Sequence, residues 1–270
     1  MDIRNISLER IVEVVAAELR DQEDTIIRAL MERVKFPINS AIYTPGQSGR
    51  LEEERKSYME TILHIIEQAY QATGRYNVPE ERPFNADLVP EILKDKRMNT
   101  GLASMDPNAI NLTSEIKSAY LELIRNICRA GDAPNDYGSS AVKDVDALQA
   151  ISLRVHTGIY VAEGKYQQDP RGYSDLIHAQ NRDGLMAKLT VRPREQDILR
   201  RVRKKAKREQ RKVYTSWRER LEDIKRHLKR QEDPYARTHI GPRAIMEFYR
   251  DTIIPLTKEG EVKYLLQRPI

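Results

Sequence analysis

Residues 141–168 read AVKDVDALQAISLRVHTGIYVAEGKYQQ, the longest informative stretch of helical pattern in the chain. The pair Asp169–Pro170 follows it and predicts the end of a helix, because proline cannot continue one. The apolar side chains of the stretch recur at steps of three and four residues, the spacing of one face of an α-helix: Leu148, Ile151, Val155, Ile159 and Ala162. The stretch therefore predicts a long central helix.

The same period continues outward on both sides of this central helix. Further helices are expected at or near Leu8, Leu51, Thr113, Leu176, Pro193 and Pro242. No segment keeps a strict alternation of apolar and polar residues, so no sheet is expected. The sequence predicts an all-α protein, with residues 1–270 forming one large helical bundle domain.

The composition fits a folded protein of this kind. Of its 270 residues, 40% are hydrophobic, enough for a core and too many for wholesale disorder. The 46 Lys and Arg residues outnumber the 41 acidic residues only slightly, which does not by itself indicate nucleic acid. No apolar run reaches the roughly 20 residues of a bilayer span, and MDIRNISLERIVEVV lacks the pattern of a signal or transit peptide. We expect a cytoplasmic protein with no membrane contact.

Motifs of the common cofactor-dependent and hydrolytic enzymes are missing. The sequence has no GxGxxG, P-loop, GxSxG or HExxH, and its five histidines form no i,i+4 pair. The single cysteine, Cys128, excludes an intrachain disulfide framework and a cysteine-rich zinc site. It lies on an apolar helix face and is expected to be a buried small residue. The sequence therefore predicts no metal and no cofactor.

Several charged residues lie within the apolar helical patterns. Arg154 and Lys165 are eleven residues apart, which places them on nearly the same helix face and roughly 16 Å apart along the axis. Long side chains at these positions can converge on a small dianion. Thr257 and Glu261 share one face of the last helix by their i,i+4 spacing. Spacing alone favours the alternative that these groups are solvated or paired at helix surfaces.

Three long segments carry a more specific pattern: ELRDQEDTIIRALMERVKFPINSAIY (18–43), DYGSSAVKDVDALQAISLRVHTGIYVAEGKYQ (136–167) and IIPLTKEGEVKYLLQR (253–268). In this order they resemble the opening, central and C-terminal helices of the fungal and plant chorismate mutases. The resemblance runs from about Leu8 to Arg268 and is interrupted near 209–236. It implies an all-α homodimer that rearranges chorismate to prephenate in phenylalanine and tyrosine biosynthesis, without a cofactor.

The resemblance also implies roles for five residues at matching positions. Arg154 would bind a substrate carboxylate, and Lys165 would donate to the ether oxygen and a carboxylate. Glu261 would donate to the ether oxygen from its protonated form, which requires a raised pKa. Glu195 would accept a hydrogen bond from the substrate hydroxyl, and Thr257 would support a carboxylate.

Two positions depart from the family's pattern. The family has an arginine on the first helix where this chain has Ala16, which cannot bind a carboxylate. Arg20, one turn further and rotated by about 40°, is the candidate substrate-binding replacement, with a surface ion pair as its alternative. Val191 stands where fungal members carry a substrate-binding asparagine. These departures leave a second interpretation open: a catalytically weakened homologue that binds a ligand or a protein partner.

An effector pocket at the dimer interface is implied in part. Arg75, Asn135, Gly138 and Ser139 match residues that the family uses to bind tyrosine or tryptophan. The match predicts allosteric control by these amino acids. A turn followed by a helix cap explains Gly138 and Ser139 nearly as well.

The run RRVRKKAKREQRK (200–212) is strongly basic and lies beside an apparent insertion relative to the family, at about 200–236. One interpretation is a patch for nucleic acid or an acidic partner. However, the run has no interleaved aromatic residues for base stacking, and Glu219, Glu222 and Asp223 follow it. We therefore predict a solvated helix extended by the insertion, and no nucleic acid partner.

Overall fold

A computed structural model of the chain describes residues 1–49, 55–88, 101–103, 105–212 and 240–270. These residues contain helices and turns but no β-strand, and none of the helices among them is long and apolar enough to cross a bilayer. The predicted all-α class is confirmed. In chain order, the α-helices are α1 (Leu8–Arg33), α2 (Tyr58–Ala72), α3 (Thr113–Ile127), α4 (Tyr137–His156), α5 (Gly158–Gln168), α6 (Pro170–His178), α7 (Arg182–Leu189), α8 (Arg192–Lys212), α9 (Pro242–Phe248) and α10 (Ile254–Gln267).

The central pair α4 and α5 organises the packing. α1 runs against both of these helices, and α10 packs against both from another side. α2 and α3 cover α4, while α8 lies against α9 and α1. Apolar side chains from these helices form two buried clusters, one around Leu148 of α4 and one around Tyr160 of α5. Cys128 is buried in the first cluster, as predicted.

A buried ion pair fixes α1 to α4. The Arg33 Nε atom donates to the Asp144 carboxylate at 2.5 Å, and both side chains are fully buried. Asp144 also accepts hydrogen bonds from the hydroxyls of Tyr43 and Tyr120 at 2.8 and 2.7 Å. Removing either charged partner would leave the other charge buried and unpaired, which typically costs about 3–5 kcal/mol. The register of α1 on α4 is therefore strongly constrained at this point.

The central helix is interrupted at one residue, Thr157. The backbone there keeps φ near −59° but ψ near −19°, and the Thr157 hydroxyl donates to the Leu153 carbonyl at 2.6 Å. Such a hydrogen bond from a threonine hydroxyl back to the preceding turn bends a helix. The prediction of one unbroken helix from about Ala141 to Gln168 is therefore wrong at Thr157, and α4 begins earlier, at Tyr137.

The last helical segment contains a π-helical turn. α9 ends at Phe248, Tyr249–Ile253 form the π turn, and α10 continues from Ile254. A π turn inserts an extra residue into the helical period, which changes the faces on which the following side chains lie. The sequence predicted a single regular helix from Pro242, and this prediction is wrong at the π turn.

Two further boundaries differ from the sequence prediction. α2 begins at Tyr58 rather than near Leu51, which itself lies outside the described residues. The Ser57 hydroxyl accepts a hydrogen bond from the Glu60 backbone N–H while the Ser57 N–H donates to the Glu60 carboxylate, and this capping box starts the helix. α7 was not predicted from the sequence. The side chain of Asn181 caps it by accepting from the Gly184 N–H at 2.9 Å.

The basic run forms the C-terminal part of α8 and packs against α1. Val202 is fully buried on its inner side. Arg201 and Lys205 form ion pairs with the buried Glu23 carboxylate at 2.6 and 3.2 Å. The prediction of a solvated helix therefore holds only for the outer face of this segment. The rest of the predicted insertion at about 200–236 lies outside the described residues.

Candidate active site

A cavity of about 130 Å³, which we call the inner cavity, lies where α1, α4, α5, α8 and α10 meet. Apolar side chains form much of its wall: Val12, Leu19, Val161, Leu189, Ile198 and Ile254. The inner cavity adjoins a wider space of about 530 Å³ between α1, α4 and α8, which we call the vestibule. A concave, mostly apolar space with a few converging polar groups is typical of a small-molecule site.

The five residues with roles implied by the resemblance all line the inner cavity. Four helices supply them: α4 contributes Arg154, α5 contributes Lys165, α8 contributes Glu195, and α10 contributes Thr257 and Glu261. The break at the α4–α5 junction lies between the first two. Residues separated by more than a hundred positions thus converge on one small space.

Arg154 is a buried cation that forms no ion pair with the residues that the structure describes. Its residue exposure is 3%. Its Nη1 atom donates to the Thr257 hydroxyl at 3.3 Å, while its Nε atom has no hydrogen-bond partner among the described residues. Burial lowers the pKa of Arg154. Because a buried charge without an ion pair is costly, this position favours an anionic ligand.

Lys165 and Glu261 form a partly enclosed pair across the inner cavity. The Lys165 Nζ atom donates to the Leu189 carbonyl at 3.0 Å and lies 3.4 Å from a Glu261 carboxylate oxygen. Glu261 is only 5% exposed. Burial raises the pKa of Glu261, and the nearby Lys165 ammonium opposes that rise. The protonated carboxylic acid is therefore more accessible here than in an exposed glutamate.

Gly158 allows α10 to come close enough to place its two site residues. A Cβ atom at Gly158 would lie 2.6 Å from Thr257 Cγ2 and 3.4 Å from Glu261 Cγ. Real Cβ contacts are essentially never as short as the first of these distances. The glycine just after the helix break therefore sets the depth at which Thr257 and Glu261 enter the cavity.

Glu195 is held by a lysine that the sequence did not single out. The Lys258 Nζ atom lies 2.9 Å from a Glu195 carboxylate oxygen and also donates to the Thr190 hydroxyl at 3.3 Å. Lys258 directly follows Thr257, so helical phase points the two side chains in different directions. Only the position of α8 beside α10 shows that both residues reach the same site.

The departures noted in the sequence all fall at this site. Ala16 lines both the inner cavity and the vestibule, whereas Arg20 lines only the vestibule and is exposed. Val191 lines the inner cavity and is 37% exposed. Arg194, which the sequence did not single out, lines both spaces. No local pattern identifies Arg194, because its surroundings depend on how α8 docks.

Comparison of the chain with known proteins shows the family to which it belongs. The chain is 34% identical over 260 residues to the chorismate mutase of Schizosaccharomyces pombe, covering 95% of this chain and 96% of that protein. It is 35% identical over 251 residues to chloroplastic chorismate mutase 1 of Petunia hybrida, covering 92% and 72% respectively. The chain belongs to the chorismate mutase family. The predicted isomerase of the fungal and plant type is therefore confirmed.

A solved chorismate mutase structure has the same architecture. The enzyme from Candida albicans, in complex with L-tryptophan, matches with a TM-score of 0.80 and 31% identity, covering 99% of this chain and 95% of that one. A scan against models of known protein families returned no match. The assignment to the chorismate mutases therefore depends on individual relatives, which match the chain in sequence and in fold.

The candidate effector residues that the sequence predicted lie in two places in the chain. Arg75 follows the C-terminal end of α2 and pairs with Glu81 at 3.0 Å. Asn135, Gly138 and Ser139 lie at the start of α4 or just before it. The sequence analysis assigned these residues to one pocket. Whether they lie close together in one chain depends on the relative direction of α2 and α4.

The two helices run in the same direction. The Tyr58 hydroxyl, at the start of α2, lies 3.5 Å from the place a Gly138 Cβ would take. Further along, Gln149 of α4 donates to Glu67 of α2 at 2.8 Å. Arg75 is therefore roughly 25 Å along α2 from the Gly138 end. The described part of one chain does not bring these residues together.

Proposed function

We propose that the inner cavity binds chorismate and catalyses its intramolecular rearrangement to prephenate. The observation that supports this most directly is the buried Arg154, which has no ion pair among the described residues and lines a small cavity together with Lys165 and the buried Glu261. Chorismate carries two carboxylates and an ether oxygen that gains negative charge as its bond breaks. The cavity offers the cations and the donor that such a reaction needs.

The catalytic contribution is mainly positional and electrostatic. The reaction needs the substrate in a compact conformer, and enclosure by α1, α5, α8 and α10 restricts the space available to it. In this proposal Arg154 binds one carboxylate and the Thr257 hydroxyl supports it. Lys165 donates to the ether oxygen and to a carboxylate. Because the rearrangement is unimolecular, no cofactor takes part.

Two glutamates complete the proposed site. Glu261, whose pKa is raised by burial, donates its proton in a hydrogen bond to the ether oxygen. Glu195 accepts a hydrogen bond from the substrate hydroxyl. Lys258 holds the Glu195 carboxylate at 2.9 Å, so its orientation is set before the substrate arrives.

The test is a spectrophotometric assay of chorismate loss by the purified chain. We expect turnover by the wild-type protein and a loss of about 100- to 1,000-fold in kcat for Lys165→Ala, because a preorganised donor is removed. Lys143→Ala is the matched control, since Lys143 is a partly exposed residue of α4 that pairs with Asp146 at 2.9 Å and does not line the inner cavity. Absence of turnover together with retained ligand binding would support the weakened homologue instead.

We also propose a homodimer whose interface forms an effector site for aromatic amino acids. Solved neighbours hold L-tryptophan, tyrosine and phenylalanine, the last two in a site described as allosteric. Arg75 and Gly138 lie at opposite ends of α2, so a pocket containing both requires a second chain. Ile65 of α2 and Val142 of α4 are large apolar side chains exposed to solvent.

The proposal also includes the domain organisation and the cellular location. Residues 1–270 form one helical domain, supported by the continuous packing of α1 with α4, α5 and α8. A cytoplasmic location is also part of the proposal. Limited proteolysis that released two stable fragments would contradict the first point, and cell fractionation that recovered the protein in an organelle would contradict the second.

A further inference from the structure

The side chains that line the inner cavity include more cations than carboxylates. Four cationic side chains and two carboxylates line it: Arg154, Lys165, Arg194, Lys258, Glu195 and Glu261. Each lysine pairs with one glutamate, Lys165 with Glu261 and Lys258 with Glu195. The two arginines have no acidic partner among the described residues. The inner cavity therefore has an excess of at least two positive charges, both on guanidinium groups.

The two unpaired arginines occupy different walls. Arg154 is buried on α4, while Arg194 is exposed in the first turn of α8. Both line the inner cavity and the vestibule, so both lie where the two spaces join. Ala16 of α1 lines the same junction and contributes only a methyl group. A dianion at the junction would find one guanidinium on α4 and a second on α8.

The other arginines near the junction are less suited to binding a dianion there. Arg20 lines the vestibule only. Arg201 also lines the vestibule, but its guanidinium is engaged in a bidentate contact with the buried Glu23 carboxylate at 2.6 and 2.9 Å. Arg194 has no hydrogen bond or ion pair with any described residue, so its fork of donors remains available to a carboxylate.

We propose that Arg194 binds the second carboxylate of the substrate and thereby replaces the cation that α1 lacks at Ala16. This inference rests on the function proposed above. The contact is made by an exposed, flexible side chain at the mouth of the site. It therefore contributes to binding in the ground state as well as in the transition state, and its loss raises KM more than it lowers kcat.

The test compares Arg194→Ala with Arg203→Ala in the chorismate assay. Arg203 is also exposed on α8 but lines neither space. We expect Arg194→Ala to lower kcat/KM by about tenfold or more, chiefly through KM, with Arg203→Ala unchanged. Adding Ala16→Arg to the Arg194→Ala variant should restore much of the loss. Prephenate affinity, measured by calorimetry on the same variants, should fall in parallel and does not depend on turnover.

The outcomes separate the two proposals. If wild-type protein turns over chorismate and Arg194→Ala equals wild type in both kcat/KM and prephenate affinity, the inference about Arg194 is wrong while the function stands. The same holds if Arg20→Ala carries the loss in place of Arg194→Ala. If wild-type protein shows no turnover, the proposed function fails, and prephenate affinity alone then decides whether Arg194 binds a dicarboxylate.

Discussion

Glu261 shows how a single residue takes its chemistry from its surroundings. A glutamate in water is ionised near neutral pH and cannot donate a hydrogen bond. Enclosure between α5 and α10 raises the pKa of Glu261, although the Lys165 ammonium 3.4 Å away works in the opposite direction. The balance favours a carboxyl group that keeps its proton to higher pH than an exposed glutamate does.

This shift predicts a pH dependence for the reaction. A group that must be protonated to act is fully active below its pKa and loses activity as pH rises through it. Activity of the wild-type protein should therefore decline towards high pH. In Glu261→Gln the amide donates at every pH, so the decline should be absent or much weaker. Profiles of kcat between about pH 5 and 9 measure this difference.

Glu259→Gln provides the control for this experiment. Glu259 lies on the same helix but contacts Arg182 at the surface and does not line the inner cavity. This variant should keep the wild-type pH profile. An identical decline in the wild type and in Glu261→Gln would show that another group titrates, and the proposed role of Glu261 would have to be abandoned.

Residue identities at the site were accessible from sequence to different degrees. Arg154, Lys165 and Glu261 lie in long, recognisable segments, so their positions could be matched directly. Lys258 lies in one of these segments too, but its contact with Glu195 joins helices distant in sequence, and the surroundings of Arg194 likewise depend on other helices. Local pattern carries information about a residue's own helix face but none about which other helix docks on it.

At the scale of elements, α10 can pack closely against α5 because Gly158 has no side chain. Gly158→Ala would place a Cβ atom 2.6 Å from Thr257 Cγ2, so α10 would have to move. Overpacking of this kind typically costs about 1–3 kcal/mol. We expect Gly158→Ala to lower the free energy of unfolding by this amount and to reduce kcat, because Thr257 and Glu261 move together. Urea denaturation and the chorismate assay measure the two effects.

Gly260→Ala on α10 is the matched comparison. Its new Cβ atom would be 3.5 Å from Leu112 Cδ1, an ordinary van der Waals contact, and alanine favours the helix over glycine. This variant should be as stable as the wild type or more so. Equal behaviour of the two variants would mean that the close approach at Gly158 does not set the position of α10.

Most of the helices could be predicted from the sequence, whereas the two interruptions, the break at Thr157 and the π turn, could not. The apolar period of α1 and of the central region is a local property, and helices follow from it. The break at Thr157 and the π turn at Tyr249–Ile253 do not disturb that period visibly. The Thr157 hydroxyl donates to the Leu153 carbonyl and accepts from Gln22 of α1, and periodicity records neither contact. The start of α2 was also missed: the prediction placed it near Leu51, although the Ser57 and Glu60 of the capping box stand in the sequence.

At the scale of the whole molecule, the proposed dimer makes two linked predictions. Sedimentation equilibrium should give the mass of two chains, and Ile65→Asp should shift the protein towards monomer by placing a charge in an apolar interface. Calorimetry should detect tyrosine or tryptophan binding to the dimer, and Ile65→Asp should weaken it because the pocket needs both chains. Ile270→Asp is the control, since Ile270 is equally exposed but lies outside α2 and α4.

Two outcomes would overturn this proposal. A wild-type protein that sediments as a monomer at micromolar concentration would remove the dimer. A dimer that releases no heat with tyrosine or tryptophan at about millimolar ligand would remove the effector site. The second outcome would leave the plainer interpretation of Gly138 and Ser139, in which they simply begin α4.

The sequence by itself determined the helical class, the family and the identity of five of the seven polar residues on the wall of the inner cavity. These follow from periodicity within single helices and from long ordered motifs, which are properties of contiguous residues. Only the tertiary structure decided the cavity's depth, the pairing of Lys258 with Glu195 and the position of Arg194 opposite Ala16. Those features arise where five helices meet, and they depend on contacts between distant segments that no local pattern records.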